Sequence, residues 1–208
     1  MIRVKICGIN DAAAMRAAVE AGADLVGFVF FPPSPRAVTP ARAADLVQPG
    51  PARVGLFVDP SDEAVAAVLD AVPLDIIQLH GEETPARCAA VRARFGLPVM
   101  KALGIAARED LAQLAEYAPA VDHFLLDAKA PPGAPLPGGN AAPFDWSVLA
   151  GASVPRPWLL AGGLTPENVK RAIEIAGAPG VDVSSGVEAR RGVKDPALIA
   201  RFVSAARA

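Results

Sequence analysis

Lys5 and Cys7 stand two residues apart in the run Lys5-Ile6-Cys7-Gly8-Ile9-Asn10, and an ammonium beside a thiol is a pairing with chemical consequences. Successive side chains of a strand point to opposite faces, so Arg3, Lys5 and Cys7 share one face while Ile2, Val4 and Ile6 share the other. The apolar face suits packing against helices. That leaves the ammonium and the thiol directed together at something else. A nearby cation favours the thiolate, the form that acts as base or nucleophile. A small buried cysteine beside a lysine that reaches out to water is the plainer alternative, and these six residues do not choose between them.

Asp127 is the second reactive candidate. It closes the apolar run Phe124-Leu125-Leu126-Asp127 and shares a strand face with His123 and Leu125. Enclosure at the mouth of a cavity disfavours the charged carboxylate and prepares the acid to donate a proton. A strand-end capping aspartate is the alternative. Arg36, in Pro32-Pro33-Ser34-Pro35-Arg36, could grip a carboxylate by a two-pronged contact, or be an ordinary surface arginine. Gln78 and His80, in Gln78-Leu79-His80-Gly81-Glu82, are candidate substrate contacts. No metal site is expected, because the only other histidine, His123, lies deeper in a strand.

Two further clusters suit an anion. Ala161-Gly162-Gly163-Leu164-Thr165 runs from a strand toward a helix, and Ser184-Ser185-Gly186 follows another strand into what reads as a short helical turn. Glycine lets backbone N–H groups come close to a phosphate, and helix N-termini present donors to it. Tight turns alone are the plainer account of these glycines. Asp182 shares a strand face with Ser184 and could reach a sugar hydroxyl.

The elements that must position these groups alternate in strict order. Strands are expected at 3–7, 25–31, 53–58, 75–80, 99–103, 121–127, 158–161 and 181–184. Helices are expected at 10–21, 40–47, 61–71, 83–95, 108–117, 144–150, 166–176 and 195–206. Apolar strands alternating with amphipathic helices indicate parallel pairing through crossover helices. Eight such units, about 26 residues each, predict a single closed (β/α)8 barrel spanning 1–208 rather than an open doubly wound sheet, whose glycine-rich dinucleotide turn is missing. Caps agree: Asn10 before the first helix, Thr39-Pro40 and Thr165-Pro166 at helix starts, Ser61-Asp62-Glu63 opening the third. The exception is 128–143, with five prolines and three glycines, which predicts an irregular loop after the sixth strand. In barrels of this kind reactive groups gather at the C-terminal ends of the strands, where Cys7, Arg36, Gln78, His80, Asp127, Gly162-Gly163 and Ser184-Ser185-Gly186 fall in order.

Composition narrows the classes. A net charge of −2 without a basic run argues against nucleic acid as partner, and no apolar stretch reaches a membrane span. Two cysteines far apart in sequence, neither in a Cys-x-x-Cys pair, argue against a disulfide framework or zinc knuckle and fit a reducing compartment, so a soluble cytoplasmic protein is expected, with no leader before the first strand.

Taken in order and spacing, these motifs resemble the phosphoribosylanthranilate isomerase family. The resemblance rests on Lys5-Ile6-Cys7-Gly8-Ile9, Gly27-Phe28-Val29-Phe30, Ser34-Pro35-Arg36, Val54-Gly55-Leu56-Phe57-Val58 and Gln78-Leu79-His80-Gly81-Glu82. It continues through Leu125-Leu126-Asp127, Ala161-Gly162-Gly163-Leu164, Asp182-Val183-Ser184-Ser185-Gly186-Val187-Glu188 and Gly192-Val193-Lys194-Asp195. What it implies is an Amadori rearrangement of N-(5-phosphoribosyl)anthranilate without cofactor, with Asp127 as general acid and Cys7 as general base. It also implies Arg36 on the anthranilate carboxylate and the Gly162-Gly163 and Ser184-Ser185-Gly186 loops on the phosphate. Monomer and homodimer are both compatible. The segment before Phe144-Asp145-Trp146 departs from the family pattern, with Ala141 at the later glycine and Pro143 at the exit. Rival readings are a histidine-pathway sugar-phosphate isomerase, disfavoured by Cys7, and a non-catalytic phosphosugar-binding barrel.

Overall fold

The computed structural model describes residues 1–129 and 145–208. Eight strands form a closed barrel in sequence order: β1 (Arg3–Cys7), β2 (Leu25–Val29), β3 (Ala52–Phe57), β4 (Ile76–Leu79), β5 (Val99–Ile105), β6 (His123–Ala128), β7 (Trp158–Leu160) and β8 (Gly180–Val183). Every neighbouring pair is parallel, and β8 returns to β1 with Lys5 in register with Asp182. Outside lie α1 (Ala12–Glu20), α2 (Pro40–Leu46), α3 (Asp62–Ala71), α4 (Pro85–Phe95), α5 (Gln113–Tyr117), α6 (Val169–Ala176) and α7 (Pro196–Arg207).

Strand alternation divides the apolar residues into two cores. One set, including Leu25, Val54, Ile76, Met100, Leu125 and Leu159, fills the interior of the ring. The outward set, including Val4, Ile6, Phe28, Ile77, Phe124 and Val181, packs against the helices. Near the C-terminal ends of the strands, Cys7 clusters with Val29 and Leu56 inside the ring. The strand-face reading of Lys5 and Cys7 therefore holds.

Most helix starts follow from local chemistry. Thr39, Ser61 and Thr84 each accept a hydrogen bond from a first-turn N–H, and Pro stands in the first turn of α2 and α4. Four expectations change, one being that the fifth helix opens as a 3₁₀ turn, Arg108–Ala112, ahead of α5. Asp11, not Asn10, caps α1, because its carboxylate reaches the Ala14 N–H at 2.9 Å. α6 begins at Val169 rather than Pro166, since Asn168 ties Thr165 and Gly163 into a preceding turn. The sixth helix shortens to one 3₁₀ turn, Trp146–Leu149, which runs into Gly151 at φ +67°. A further element, the hairpin β9 (Glu188–Arg190) and β10 (Val193–Lys194), follows β8. The irregular loop expected over 128–143 lies, from residue 130 onward, outside the described residues. Among the described residues no helix is long and apolar enough to cross a membrane.

Candidate functional site

The sequence-predicted groups converge on one mouth of the barrel. Around the ring they run from Asp127 on β6, through Gly162-Gly163 after β7 and Ser184-Ser185-Gly186 after β8, to Cys7 on β1 and Arg36 beyond β2. The glycine and serine loops thus occupy the short arc between thiol and carboxyl.

At the base of the mouth Lys5 is fully buried, its Nζ 2.8 Å from Asp182 Oδ1. Burial alone would lower its pKa, but Asp182 and Cys7 raise it overall, so the ammonium persists. Gly27 on the neighbouring strand makes the room: a Cβ there would sit 3.0 Å from Cys7 Sγ and 3.3 Å from Lys5 Nζ. The Cys7 thiol differs from expectation. Burial pushes its pKa up, and although Lys5 and Lys194 pull it down, Asp182 works against them. Lys5 has a carboxylate of its own to satisfy, so its charge is only partly spent on the sulfur.

Asp127 is 8% exposed and its Oδ1 accepts the Ala128 N–H at 2.8 Å. Its Oδ2 lies 3.4 Å from His80 Nε2. The intervening strand contributes Gly104, in register with Asp127, so no β5 side chain stands at that level. His80 Nδ1 meets Gln78 Nε2 at 3.0 Å, and Gln78 Oε1 is buried with no hydrogen-bond partner among the described residues. Sequence reading had paired neither residue with Asp127.

The loop carrying His80 is fixed from behind. Glu83 accepts from Asp59 N at 2.8 Å, from Gly81 N at 3.0 and 3.1 Å and from Lys101 Nζ at 2.7 Å. Lys101 also donates to Gly81 O at 2.6 Å and lies 5.9 Å from the centre of the Tyr117 ring. Both peptide groups of Gly81, next to His80, are therefore held by one buried ion pair.

Gly162 and Gly163 have φ of +88° and +65°, and a Cβ on Gly162 would meet Ala128 N at 2.7 Å. A Cβ on Gly186 would overlap the Leu164 carbonyl oxygen, so the loops after β7 and β8 lie directly against each other. The short helical turn expected after Ser184 is present as a 3₁₀ turn, Ser185–Val187. Arg36, 5% exposed, is gripped by Glu188: Nε to Oε1 at 2.6 Å and Nη2 to Oε2 at 3.0 Å. Glu188 and Lys194 belong to motifs quoted above, but nothing in their local sequence marks them as buried partners of Arg36. His123 lies at the opposite end of the barrel, beside a small cavity it lines with Arg3, Met100 and Trp158. Burial, and then Arg3, lower its pKa.

A family model described as N-(5'-phosphoribosyl)anthranilate (PRA) isomerase matches residues 4–205. The chain belongs to the N-(5'-phosphoribosyl)anthranilate isomerase family. A relative of that name from Paracoccus denitrificans is 60% identical over 210 residues, covering 100% of this chain and 98% of the relative. One from Rhodospirillum rubrum is 56% identical, covering 98% and 97%. The crystal structure of phosphoribosyl anthranilate isomerase from Thermotoga maritima superposes with a TM-score of 0.89 at 39% identity, covering 100% of this chain and 99% of that one. Another solved phosphoribosyl anthranilate isomerase, in complex with reduced 1-(o-carboxyphenylamino)-1-deoxyribulose 5-phosphate, gives 0.84 at 38% identity with coverage of 100% and 99%. As a member of that family the chain is an isomerase. The non-catalytic barrel and the histidine-pathway isomerase fall away.

Proposed function

We propose that the barrel mouth performs the isomerisation as an acid–base Amadori rearrangement, giving 1-(2-carboxyphenylamino)-1-deoxyribulose 5-phosphate. Asp127 donates a proton to the furanose ring oxygen while the bond from that oxygen to the anomeric carbon breaks. The anthranilate nitrogen lone pair forms the C=N bond of a Schiff base. The Cys7 thiolate then removes the proton from the adjacent sugar carbon, and the resulting enolamine tautomerises to the aminoketone. No electrons leave the substrate, so the step needs no co-reactant.

The observation that carries this reading is the shared inward direction of Cys7 and Asp127 at one mouth, with the two abutting loops between them. Those loops suit the phosphate, because glycine backbone can approach an anion closely and Ser184-Ser185 add hydroxyl donors. Arg36 suits the anthranilate carboxylate, since its Nη1 side is not engaged by Glu188. Gln78 Oε1 suits a substrate donor, because a buried acceptor left unpaired costs about 1–3 kcal/mol. His80 and Asp182 act beside them, His80 on Asp127 and Asp182 on Lys5 or a sugar hydroxyl.

Replacing Asp127 with Asn tests the assignment. Asn keeps the shape but cannot protonate the ring, so turnover should vanish while product-analogue affinity stays within about tenfold. Turnover near that of the parent enzyme, followed by loss of substrate fluorescence, would refute the acid.

A further inference from the structure

Lys194 is 4% exposed and surrounded by three oxygens: Glu188 Oε1 at 2.9 Å, Ser184 O at 2.9 Å and Ser184 Oγ at 3.2 Å. An ammonium has three N–H donors and no acceptor, so this environment fits the charged form. Burial lowers its pKa overall, and Glu188 opposes that pull. Glu188 in turn accepts from Arg36, Lys194 and the Gly192 N–H at 3.0 Å. The hairpin that carries both residues is pinned to the mouth. Asn10 Nδ2 donates to Gly192 O at 2.9 Å, and Gly192, at φ +81°, lies so close to Pro35 that a Cβ would come within 2.6 Å of its carbonyl oxygen. On the other side Gly8 leaves space for the Arg36 stem, which a Cβ would approach to 2.8 Å.

A carboxylate that merely paired with Arg36 would neutralise it and spoil it as a receptor for an anion. We propose that Glu188 and Lys194 are positioning residues for Arg36, Glu188 fixing the plane of the guanidinium and Lys194 cancelling the charge of Glu188. One carboxylate between two cations leaves the trio with a single net positive charge facing the substrate carboxylate. The proposal rests on the reading of Arg36 given above and adds the device that keeps its charge available. It also gives the hairpin after β8 a task in substrate selection.

The test compares two ligands by titration: reduced 1-(o-carboxyphenylamino)-1-deoxyribulose 5-phosphate and the same molecule without its carboxylate. The quantity read is the ratio of their affinities, which cancels any loosening of the phosphate loop shared by both. Lys194→Met removes the compensating cation, and the preference for the carboxylate-bearing ligand should fall by about tenfold or more. The double variant Glu188→Gln with Lys194→Met restores the single net charge and should recover most of the preference. A structural role alone predicts the reverse order, with the double variant no better than the single one. An unchanged ratio in Lys194→Met, or no recovery in the double variant, overturns the proposal while leaving the Arg36 reading intact. If the single variant does not fold, the double variant, which strands no carboxylate, must still prefer the carboxylate-bearing ligand, and loss of that preference overturns the proposal. Equal binding of both ligands by the unaltered enzyme overturns the Arg36 reading and this inference with it.

Discussion

Lys101→Met should cost this enzyme a large part of its stability, and the amount follows from what Lys101 holds. Its side chain and that of Glu83 are 2% and 1% exposed, so water does little to screen them. Methionine matches the stem but removes the ammonium. Glu83 would then stay buried as an uncompensated anion, keeping its bonds from Asp59 N and Gly81 N, while Gly81 O loses its donor. Breaking one side of a buried ion pair costs about 3–5 kcal/mol. For a chain of 208 residues each kcal/mol lowers Tm by roughly 2–4 °C, which makes the expected fall about 10 °C. Urea unfolding followed by circular dichroism reads the free energy, and a thermal melt checks it. The double variant Glu83→Gln with Lys101→Met should be less damaged than Lys101→Met, because no buried charge is stranded. A loss below about 1 kcal/mol, the range of exposed pairs, would refute the view that this bridge secures the His80 loop.

The pH profile supplies a second test. Cys7 must be deprotonated to act as base and burial raises its pKa, so kcat/KM should climb with pH through the thiol range; a flat profile between about pH 7 and 10 rules the thiolate out. Cys88 is fully buried and pushed up to about 11, chiefly by burial. At pH 8 roughly a thousandth of it is thiolate, so alkylation should spare Cys88 in the native enzyme and modify it in urea, and rapid native labelling seen by mass spectrometry would contradict its placement. Gly186→Ala should separate the loops after β7 and β8, weakening a phosphate-bearing product analogue by tenfold or so with a smaller effect on a dephosphorylated one. Equal effects on both would argue against a phosphate site there.

What the residues disclosed, and what they withheld, divides along physical lines. Strand periodicity located β1 and β6 closely enough to face Cys7 and Asp127 inward, because alternation is a property of a few neighbouring residues. The hairpin Glu188–Lys194 escaped notice because its strands of three and two residues carry too little apolar alternation to register. The sixth helix was overestimated because an apolar run before Gly151 reads equally as a helix or as one 3₁₀ turn. Partnerships were the least legible part. Glu83 and Lys101, 18 positions apart, carry no local sign of pairing, and only the fold buries them together. The sign of the Cys7 shift is hidden for the same reason: Lys5 is visible beside it, while the burial that outweighs Lys5 comes only with the fold, and Asp182, which adds to the upward pull, lies 177 positions from Lys5.

That last separation has a kinetic side. The seam between β1 and β8 joins the two most distant strands of the ring, and contacts so remote in sequence form slowly and late. During synthesis Cys7 emerges well before Asp182 and Lys194, which supply the salt link beneath it and the ammonium that acts on it. Until that seam zips, Cys7 lacks the Lys5–Asp182 link that the closed ring sets beside it. Acquisition of its shifted acidity therefore reports closure of the ring, and a thiol probe on a refolding chain would time that event.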